Sequence, residues 1–258
     1  MRSTFAAMIP TGGGLEAVEA RAAAAGGAGK RAFVRRMFSE IAPRYDLLNH
    51  LLSLNIDRRW RQAALTELAW HERPRATYLD LCAGTLDVGA QLARSAGFEG
   101  LVLGLDFAEP MLRAGSGKAP RVALEPVAAD ALALPLPNDF AAGAIVAFGA
   151  RNLADLDDGL RETRRVLSPG ARFVILECST PSIGLVRAGY HAYFRHILPS
   201  VGKLISGHPT AYRYLPDSVA HFPESEQLAD RMRAAGFTDV RWRPLTLGIA
   251  AIHVGVKA

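Results

Sequence analysis

The chain has 258 residues, half of them hydrophobic, and a formal net charge of +5 at pH 7, which suits one substantial core with appendages rather than two domains. Its two cysteines, Cys82 and Cys178, are distant in sequence and form no C-x-x-C motif, which argues against a disulfide framework or a zinc site. We therefore expect no bound metal and a cytoplasmic location, since a secretory signal and an apolar run of membrane-spanning length are also lacking.

Residues 1–29 are rich in alanine and glycine, and we predict a flexible leader with one short helix between Leu15 and Ala25. The domain proper is expected to span residues 30–258. Its first segment, residues 30–75, repeats apolar residues at helical spacing. Because these helices precede the first predicted strand, we interpret them as a helical cap over one edge of a sheet.

Basic residues cluster within this cap, at residues 30–36 and 58–61. A nucleic acid, an anionic membrane surface and an internal network of salt bridges would each explain such a cluster. Surfaces that stack bases interleave aromatic residues with basic ones, and that pattern is absent here. We therefore expect no nucleic acid partner, and peripheral contact with the inner face of the membrane remains compatible with the sequence.

Residues 76–258 alternate predicted strands and helices, which is typical of a doubly wound, mostly parallel α/β sheet. The predicted strands are Thr77–Cys82, Leu101–Asp106, Arg121–Ala128, Ala142–Gly149, Ala171–Cys178, Thr238–Leu245 and Ile249–Val256. The short loop between the last two requires an antiparallel hairpin, so we predict seven strands of which the last pair is antiparallel. The turn Ser168-Pro169-Gly170 is expected to end a helix and to precede the fifth strand.

An insert near residues 183–222 mixes aromatic and aliphatic residues with basic ones. It is either an ordinary helix pair packed on the sheet or a lipid-facing or substrate-gating element, and the sequence leaves both open.

Residues 78–93 (YLDLCAGTLDVGAQLA) combine an apolar strand, a tight turn at Gly84 and a helix, which is the ligand-binding corner of an open α/β sheet. The glycine fingerprint of a dinucleotide site is missing, because Cys82, Gly84 and Asp87 occupy its three positions. Acidic residues lie at or near the ends of three predicted strands: Asp80, Asp87, Asp106 and Asp130. Carboxylates at one sheet edge repel a pyrophosphate but suit S-adenosylmethionine (SAM), which carries a sulfonium, an ammonium and ribose hydroxyls. The alternative is a solvated loop whose acids have no ligand.

Several segments of the chain resemble the ubiquinone/menaquinone biosynthesis C-methyltransferases. They are FSEIAPRYDLLNHLLSL at 38–54, RRWR at 58–61, FGARNL at 148–153, RVLSPG at 165–170, LPSVG at 198–202 and YRYL at 212–215. The likeness extends over roughly residues 34–257 and implies the Rossmann-like fold of class I SAM-dependent methyltransferases. It also implies methyl transfer to a ring carbon of a prenylated hydroquinone, either demethylmenaquinol or a ubiquinol precursor, in respiratory quinone biosynthesis.

The resemblance and the turn together give a set of candidate cofactor-binding residues. They are Asp80, Cys82, Ala83, Gly84, Thr85, Asp106, Phe107, Met111, Asp130, Ala131, Ala147 and Phe148. Thr85, Asp106, Asp130 and Ala131 match SAM-contacting positions of the family, and Ala147 stands where many members have serine.

For the acceptor, the resemblance implies Tyr45, Arg151 and Asn152. A ring carbon attacks the methyl group only after a neighbouring hydroxyl has lost its proton. Arginine stays protonated in proteins, so Arg151 is expected to stabilise the phenolate rather than to act as the base. We add His208, which lies in a turn leading into the YRYL segment, as a candidate for the pocket. The alternatives are an Arg151 paired with Asp155 or Asp157 and a Tyr45 that only packs.

Leu86 departs from the family pattern, which commonly has glycine at this position. If the position needs a positive φ, Leu86 is strained; if the glycine only makes room, Leu86 intrudes on the amino-acid end of SAM. Together with Ala147, Leu86 leaves open a catalytically silent partner protein in a biosynthetic assembly. Independently of these positions, the acceptor of a SAM-dependent enzyme could be another phenolic compound. A homodimer is also compatible with the sequence.

Overall fold

The computed structural model describes residues 12–27, 29–46, 53, 55–193 and 209–258. Its central sheet has the seven predicted strands: β1 (Thr77–Leu81), β2 (Leu101–Asp106), β3 (Leu124–Ala128), β4 (Ala141–Ala147), β5 (Leu167–Cys178), β6 (Phe237–Leu245) and β7 (Ala250–Lys257). They are arranged in the order β3-β2-β1-β4-β5-β7-β6. The first five are parallel, and β7 runs antiparallel between β5 and β6. The predicted fold class is confirmed.

The helices that the structure describes are α1 (Gly12–Ala25), α2 (Lys30–Ile41), α3 (Ile56–Glu67), α4 (Asp87–Ala93), α5 (Glu109–Ala114), α6 (Leu156–Val166), α7 (Gly184–Ala192), α8 (Pro209–His221) and α9 (Ser225–Ala234). Each face of the sheet is covered by a separate hydrophobic cluster. The strands are therefore buried on both sides, which explains their nearly continuous apolar sequences. Within the described residues, no helix is both long and apolar enough to span a membrane.

The strand order reverses between β1 and β4, whose carboxyl ends lie side by side. In open α/β sheets, ligands bind in the crevice at such a reversal. The turn after β1 and the loop after β4 thus flank the expected ligand site. The two loops also pack closely, since a Cβ on Gly149 would lie 2.4 Å from the Cβ of Cys82.

The segment Ser168-Pro169-Gly170 was predicted to follow the end of a helix and to precede the fifth strand. The helix end is confirmed, since α6 ends at Val166, but the predicted position of the turn relative to the strand was wrong. It lies inside β5, which begins at Leu167. The pairing with β4 shifts there from Ala141–Leu167 to Gly143–Arg172, so the extra residues form an irregular bulge. Gly170 has φ +78° and therefore permits this bend without a Cβ clash.

Part of the predicted leader forms α1. Its Ala20, Ala23 and Ala24 are buried in one cluster with Phe33 of α2 and Tyr214 of α8. Small side chains let these helices approach closely, so this stretch of the leader packs on the cap. The proposed domain boundary at residue 29 stays a prediction.

The insert near 183–222 is helical where it is described, as α7 and α8. His208 and the LPSVG segment lie outside the described residues.

Candidate functional site

The turn after β1 has an unusual backbone. Cys82, Gly84 and Leu86 all have positive φ, at 51°, 53° and 65°. The Ala83 amide donates to the Leu105 carbonyl of β2 at 3.0 Å, which holds the turn against the neighbouring strand. The Leu86 amide donates to the Ala83 carbonyl at 2.8 Å, and α4 begins at the next residue.

Leu86 is the residue whose role the sequence left undecided. It adopts the left-handed conformation at the N-cap of α4, so the expectation of strain is met. Its side chain is 2% exposed and packs in the core, where a Cβ on Gly104 would lie 2.3 Å from Leu86 Cδ2. The alternative of intrusion on the amino-acid end of a cofactor was wrong, because the side chain points into the sheet.

Two acids of this corner have different surroundings. The Asp106 carboxylate accepts hydrogen bonds from the amides of Gly84 (2.9 Å) and Ala108 (2.8 Å), and it lines the crevice. Burial raises the pKa of Asp106. Asp80 lies deeper, accepts from the Gly89 amide at 2.8 Å, and has its pKa raised by burial to about 7. Asp106 is therefore placed for a ligand, whereas Asp80 lies beneath the turn.

The crevice is a cleft between this corner and the cap. Nine of the twelve candidate cofactor residues line it: Cys82, Gly84, Asp106, Phe107, Met111, Asp130, Ala131, Ala147 and Phe148. The other three do not line it: Asp80 lies below, Ala83 packs against the core, and Thr85 is buried. The assignment of all twelve to a cofactor stays a prediction.

Helix α2 closes this cleft from above. Arg31 of α2 pairs with Asp130 at 2.6 Å, and Val34 and Phe38 complete the cover. The free volume is about 50 Å³, below the roughly 300–1,000 Å³ typical of ligand pockets, so a ligand of that size does not fit while the side chains of α2 keep these positions. This pairing accounts for one arginine of the basic cluster by a salt bridge within the chain.

A second polar network ties the cap to the turn after β1. The Thr85 hydroxyl donates to Asp46, and Lys118 bridges Asp46 and Asp87 at 2.5 Å each. Arg61 of α3 pairs with the same Asp87 at 2.9 Å. Asp46 follows Tyr45 directly, so the turn that would hold the cofactor also fixes the residue expected to serve the acceptor.

A larger, mostly apolar cavity of about 440 Å³ lies beside the cleft. It is lined by Tyr45, Ser53, Ile56, Asp57, Trp60, Arg61, Phe148, Arg151, Cys178, Val186, Gly189, Tyr190, Tyr193, Leu215, Thr246 and Ile249. Tyr45 and Phe148 line both spaces and form the wall between them. The residues of α7 that line it make the insert a wall of this cavity.

Arg151 carries a buried charge in this cavity. Its Nη1 donates to the Glu177 carboxylate at 2.8 Å and to the Phe148 carbonyl at 2.6 Å. The Glu177 partner raises the pKa of Arg151 above its ordinary value, although burial opposes that shift. No described residue accepts a hydrogen bond from Nε or Nη2, the edge with which arginine binds two oxygens.

The alternative partners for Arg151 were wrong. Asp155 caps α6 by accepting from the Asp158 amide, and Asp157 pairs with Arg231. The partner is Glu177, which is itself 2% exposed and follows the buried part of β5.

Asn152 and Tyr45 complete the acceptor candidates that the structure describes. Asn152 lines the cleft beneath α2 rather than the apolar cavity, and its side-chain oxygen accepts from the Tyr214 hydroxyl at 3.1 Å. Tyr45 lies edge-on to Phe38 with ring centroids 5.8 Å apart. Asn152 therefore lines one space, Arg151 lines the other, and Tyr45 lines both.

Sequence reasoning missed several contributors to this site. Glu177 could have been identified from the sequence, because it is an acid near the end of a predicted strand. Acids near the ends of β1, β2 and β3 had been selected as candidates on the same ground. Asp46 lay inside a quoted motif without a role. Arg31 and Tyr190 carried no local signal, because only the packing of α2 and α7 brings them to the site.

Comparisons with known proteins agree with this geometry. Among solved structures, the [4+2]-cyclase SpnF aligns with TM-score 0.65 at 16% identity, over 88% of this chain and 96% of that chain. A SAM-dependent methyltransferase from Aquifex aeolicus aligns with TM-score 0.53 at 17% identity, over 77% and 89% of the two chains. At such low identity these likenesses show the fold alone.

Sequence relatives are much closer. A protein named demethylmenaquinone methyltransferase from Thermus thermophilus is 50% identical over 85% of this chain and 99% of its own. One of the same name from Deinococcus radiodurans is 46% identical, over 87% and 92% of the two chains. The ubiquinone/menaquinone biosynthesis C-methyltransferase UbiE of Geobacter sulfurreducens is 44% identical, over 87% and 88%. The model of the ubiE/COQ5 methyltransferase family matches residues 27–257, so the chain belongs to that family of SAM-dependent methyltransferases.

Proposed function

We propose that this enzyme transfers the methyl group of SAM to a ring carbon of a prenylated hydroquinone, with demethylmenaquinol the first acceptor to test. The observation that carries the proposal is the pair of adjoining spaces with Tyr45 and Phe148 as their common wall. An acidic cleft suits the cofactor. A mostly apolar cavity in which Arg151 keeps donors that no described residue occupies suits a lipophilic ring with one ionised oxygen. The names of the T. thermophilus and D. radiodurans relatives support the naphthoquinol.

The residues present fit SAM by their chemistry. Asp106 accepts one backbone hydrogen bond on each oxygen and retains lone pairs for two ribose hydroxyls. Phe107 and Met111 offer apolar contact to the adenine, and Asp130 can accept from its amino group once Arg31 has moved. When bound there, SAM supplies an electrophilic methyl group.

Arg151 would hold the acceptor oxygen. Its Nη1 is occupied by Glu177 and Phe148, so the guanidinium plane is fixed, and Nε and Nη2 are the donors left for a phenolate. A fixed donor pair in an apolar cavity stabilises developing negative charge strongly. Tyr45 and Phe148 would set the distance between ring carbon and methyl group, and such alignment supplies much of the rate.

The test is incubation of the purified enzyme with SAM labelled in its methyl group and short-chain demethylmenaquinol, a demethylated benzoquinol and a simple phenol in parallel. We expect label in the quinol ring of the first or second acceptor. Label in the simple phenol alone would favour the other phenolic substrates, and SAM binding without any transfer would contradict the proposal.

We also propose that the mouth of the apolar cavity contacts an anionic membrane. Exposed apolar side chains are rare on this surface, and three of them adjoin the lining segments of α7 and of the loop before β7: Ile183, Leu185 and Leu247. Exposed arginines accompany them at positions 58, 59 and 187. Basic residues beside apolar ones favour binding to anionic lipids.

Vesicle co-sedimentation tests this contact. Leu185→Asp with Leu247→Asp should weaken binding to vesicles that contain phosphatidylserine at least tenfold, whereas Val122→Asp should not. Val122 is the matched control because it is 87% exposed, as Leu185 is at 86%, but lies before β3 outside the cavity lining. Equal binding by all three proteins would contradict a membrane contact at this mouth.

A homodimer stays a prediction.

A further inference from the structure

The reaction needs a group that takes the proton from the acceptor hydroxyl, and Arg151 cannot do so. Among the described residues that line the apolar cavity, Asp57 is the one carboxylate. Three other titratable side chains there are poor bases, because burial raises the pKa of Cys178 to about 11 and raises the pKa of Tyr190 and Tyr193. Protonated thiols and phenols do not accept a proton from another phenol at neutral pH.

Asp57 is held in place from two sides. It lies in the first turn of α3, the Ser53 hydroxyl donates to its Oδ1 at 2.6 Å, and Arg61 pairs with its Oδ2 at 3.0 Å. Arg61 also pairs with Asp87 of α4, so its charge is shared between two carboxylates. Asp57 is 3% exposed, yet it is one of the residues that line the cavity, as Arg151 is.

We propose that Asp57 is the proton acceptor of this reaction, a role that rests on the function proposed above. The acceptor O–H bond breaks and its proton passes to the Asp57 carboxylate, while the oxygen electrons shift into the ring. The ring carbon forms its bond to the methyl group as the methyl–sulfur bond breaks, and Arg151 stabilises the charge on oxygen. The ring carbon then loses its hydrogen as a proton to water, and the Asp57 carboxyl returns its proton to the ring oxygen, so one proton is released per methyl transferred and the carboxylate is restored.

The competing role for Asp57 is structural, because an acid in the first turn of a helix and an i,i+4 pair with Arg61 both stabilise α3. A control on the same helix separates the two roles. Glu67 of α3 also pairs with arginines, Arg241 and Arg243, but lies outside the cavity lining. Glu67→Gln should leave kcat within about twofold of the unsubstituted enzyme.

The experiment compares Asp57→Asn, Asp57→Glu and Glu67→Gln on labelled transfer to quinols of graded acidity, with calorimetry of SAM binding on each. Positioned general bases contribute roughly 10²–10⁴-fold, so kcat of Asp57→Asn should fall at least 100-fold at pH 7 while SAM affinity changes less than about threefold. The loss should shrink for more acidic quinols and at higher pH, where the acceptor ionises without help. Asp57→Glu should retain at least a tenth of the rate.

A loss that is the same for every acceptor and every pH would show a structural role and overturn the proposal. So would Asp57→Asn with near-normal kcat, or Asp57→Glu as inactive as Asp57→Asn. If Asp57→Asn does not fold, Asp57→Glu is compared with the unsubstituted enzyme across the acceptor series. A rate loss that shrinks for more acidic quinols supports the proposal, and a rate loss that is the same for every acceptor overturns it. An unsubstituted enzyme inactive on every quinol would instead contradict the proposed function itself.

Discussion

Arg151 and Glu177 form a buried ion pair, and its two members can be perturbed separately. Their side chains are 8% and 2% exposed, and the nitrogen–oxygen distance is 2.8 Å. Arg151→Met removes the cation with little change in volume and leaves Glu177 as a buried charge without its partner. Breaking such a pair costs about 3–5 kcal/mol.

The surroundings of Glu177 place the expected value at the lower end of that range. Its carboxylate also accepts from the backbone amides of Arg151 (3.2 Å) and Cys178 (3.0 Å), and both bonds survive the substitution. We expect Arg151→Met to lower the free energy of unfolding by about 3 kcal/mol. The double variant Arg151→Met with Glu177→Gln no longer buries a charge and should regain about 2 kcal/mol of that loss.

Urea unfolding and labelled methyl transfer measure the two consequences of this perturbation. Both variants should lose at least about 100-fold in kcat, since one donor to a developing oxyanion is worth about 10²–10³-fold. SAM affinity should stay within about threefold, because Arg151 lines the apolar cavity and not the cofactor cleft. A double variant as unstable as the single one would refute the ion-pair reasoning, and one with normal turnover would refute the role of Arg151.

Two further predictions concern the SAM turn. Leu86→Gly should be less stable than the natural chain, because a buried leucine contributes about 2–5 kcal/mol, but more stable than Leu86→Ala, because glycine alone adopts φ +65° without strain. Thermal unfolding checks this order of stability. Calorimetry should show the same SAM affinity for Leu86→Gly and Leu86→Ala as for the natural chain. Tighter SAM binding by Leu86→Gly would contradict the observed direction of the leucine side chain. The second prediction concerns Asp80, whose pKa is raised from an ordinary 3.8 to about 7, so that the folded protein favours the protonated carboxyl. The protonated carboxyl therefore contributes to stability below pH 4, and this contribution is lost as the pH rises to 7. Asp80→Asn should therefore stabilise the protein at pH 8, by at most about 4 kcal/mol, and should have hardly any effect at pH 4. Urea unfolding at both pH values measures this difference, and equal effects at the two pH values would contradict the prediction.

Local sequence patterns predicted much of the fold. Predicted strands alternate with helices along the chain. Five of the strand segments are mostly apolar, as expected for a parallel sheet that is covered by helices on both faces, and β1 to β5 form such a sheet. The short loop before β7 required the antiparallel hairpin. The prediction failed at residues 168–170, where pairing with β4 continues past a Pro-Gly turn that by itself signals an end.

The sequence by itself determined the strand-turn-helix corner, the acids at its strand ends and, through its motifs, the residues around Tyr45 and Arg151. These features depend on neighbours in the chain and on residue type. Only the tertiary structure decided that Leu86 points into the core, that Glu177 rather than Asp155 or Asp157 holds Arg151, and that Asp57 borders the same cavity. The reason is physical: each of these facts depends on which elements pack together across the sheet, and a local pattern cannot specify such a contact. The turn after β1 thus indicated the cofactor class, whereas the packing of the cap and α7 created the apolar cavity.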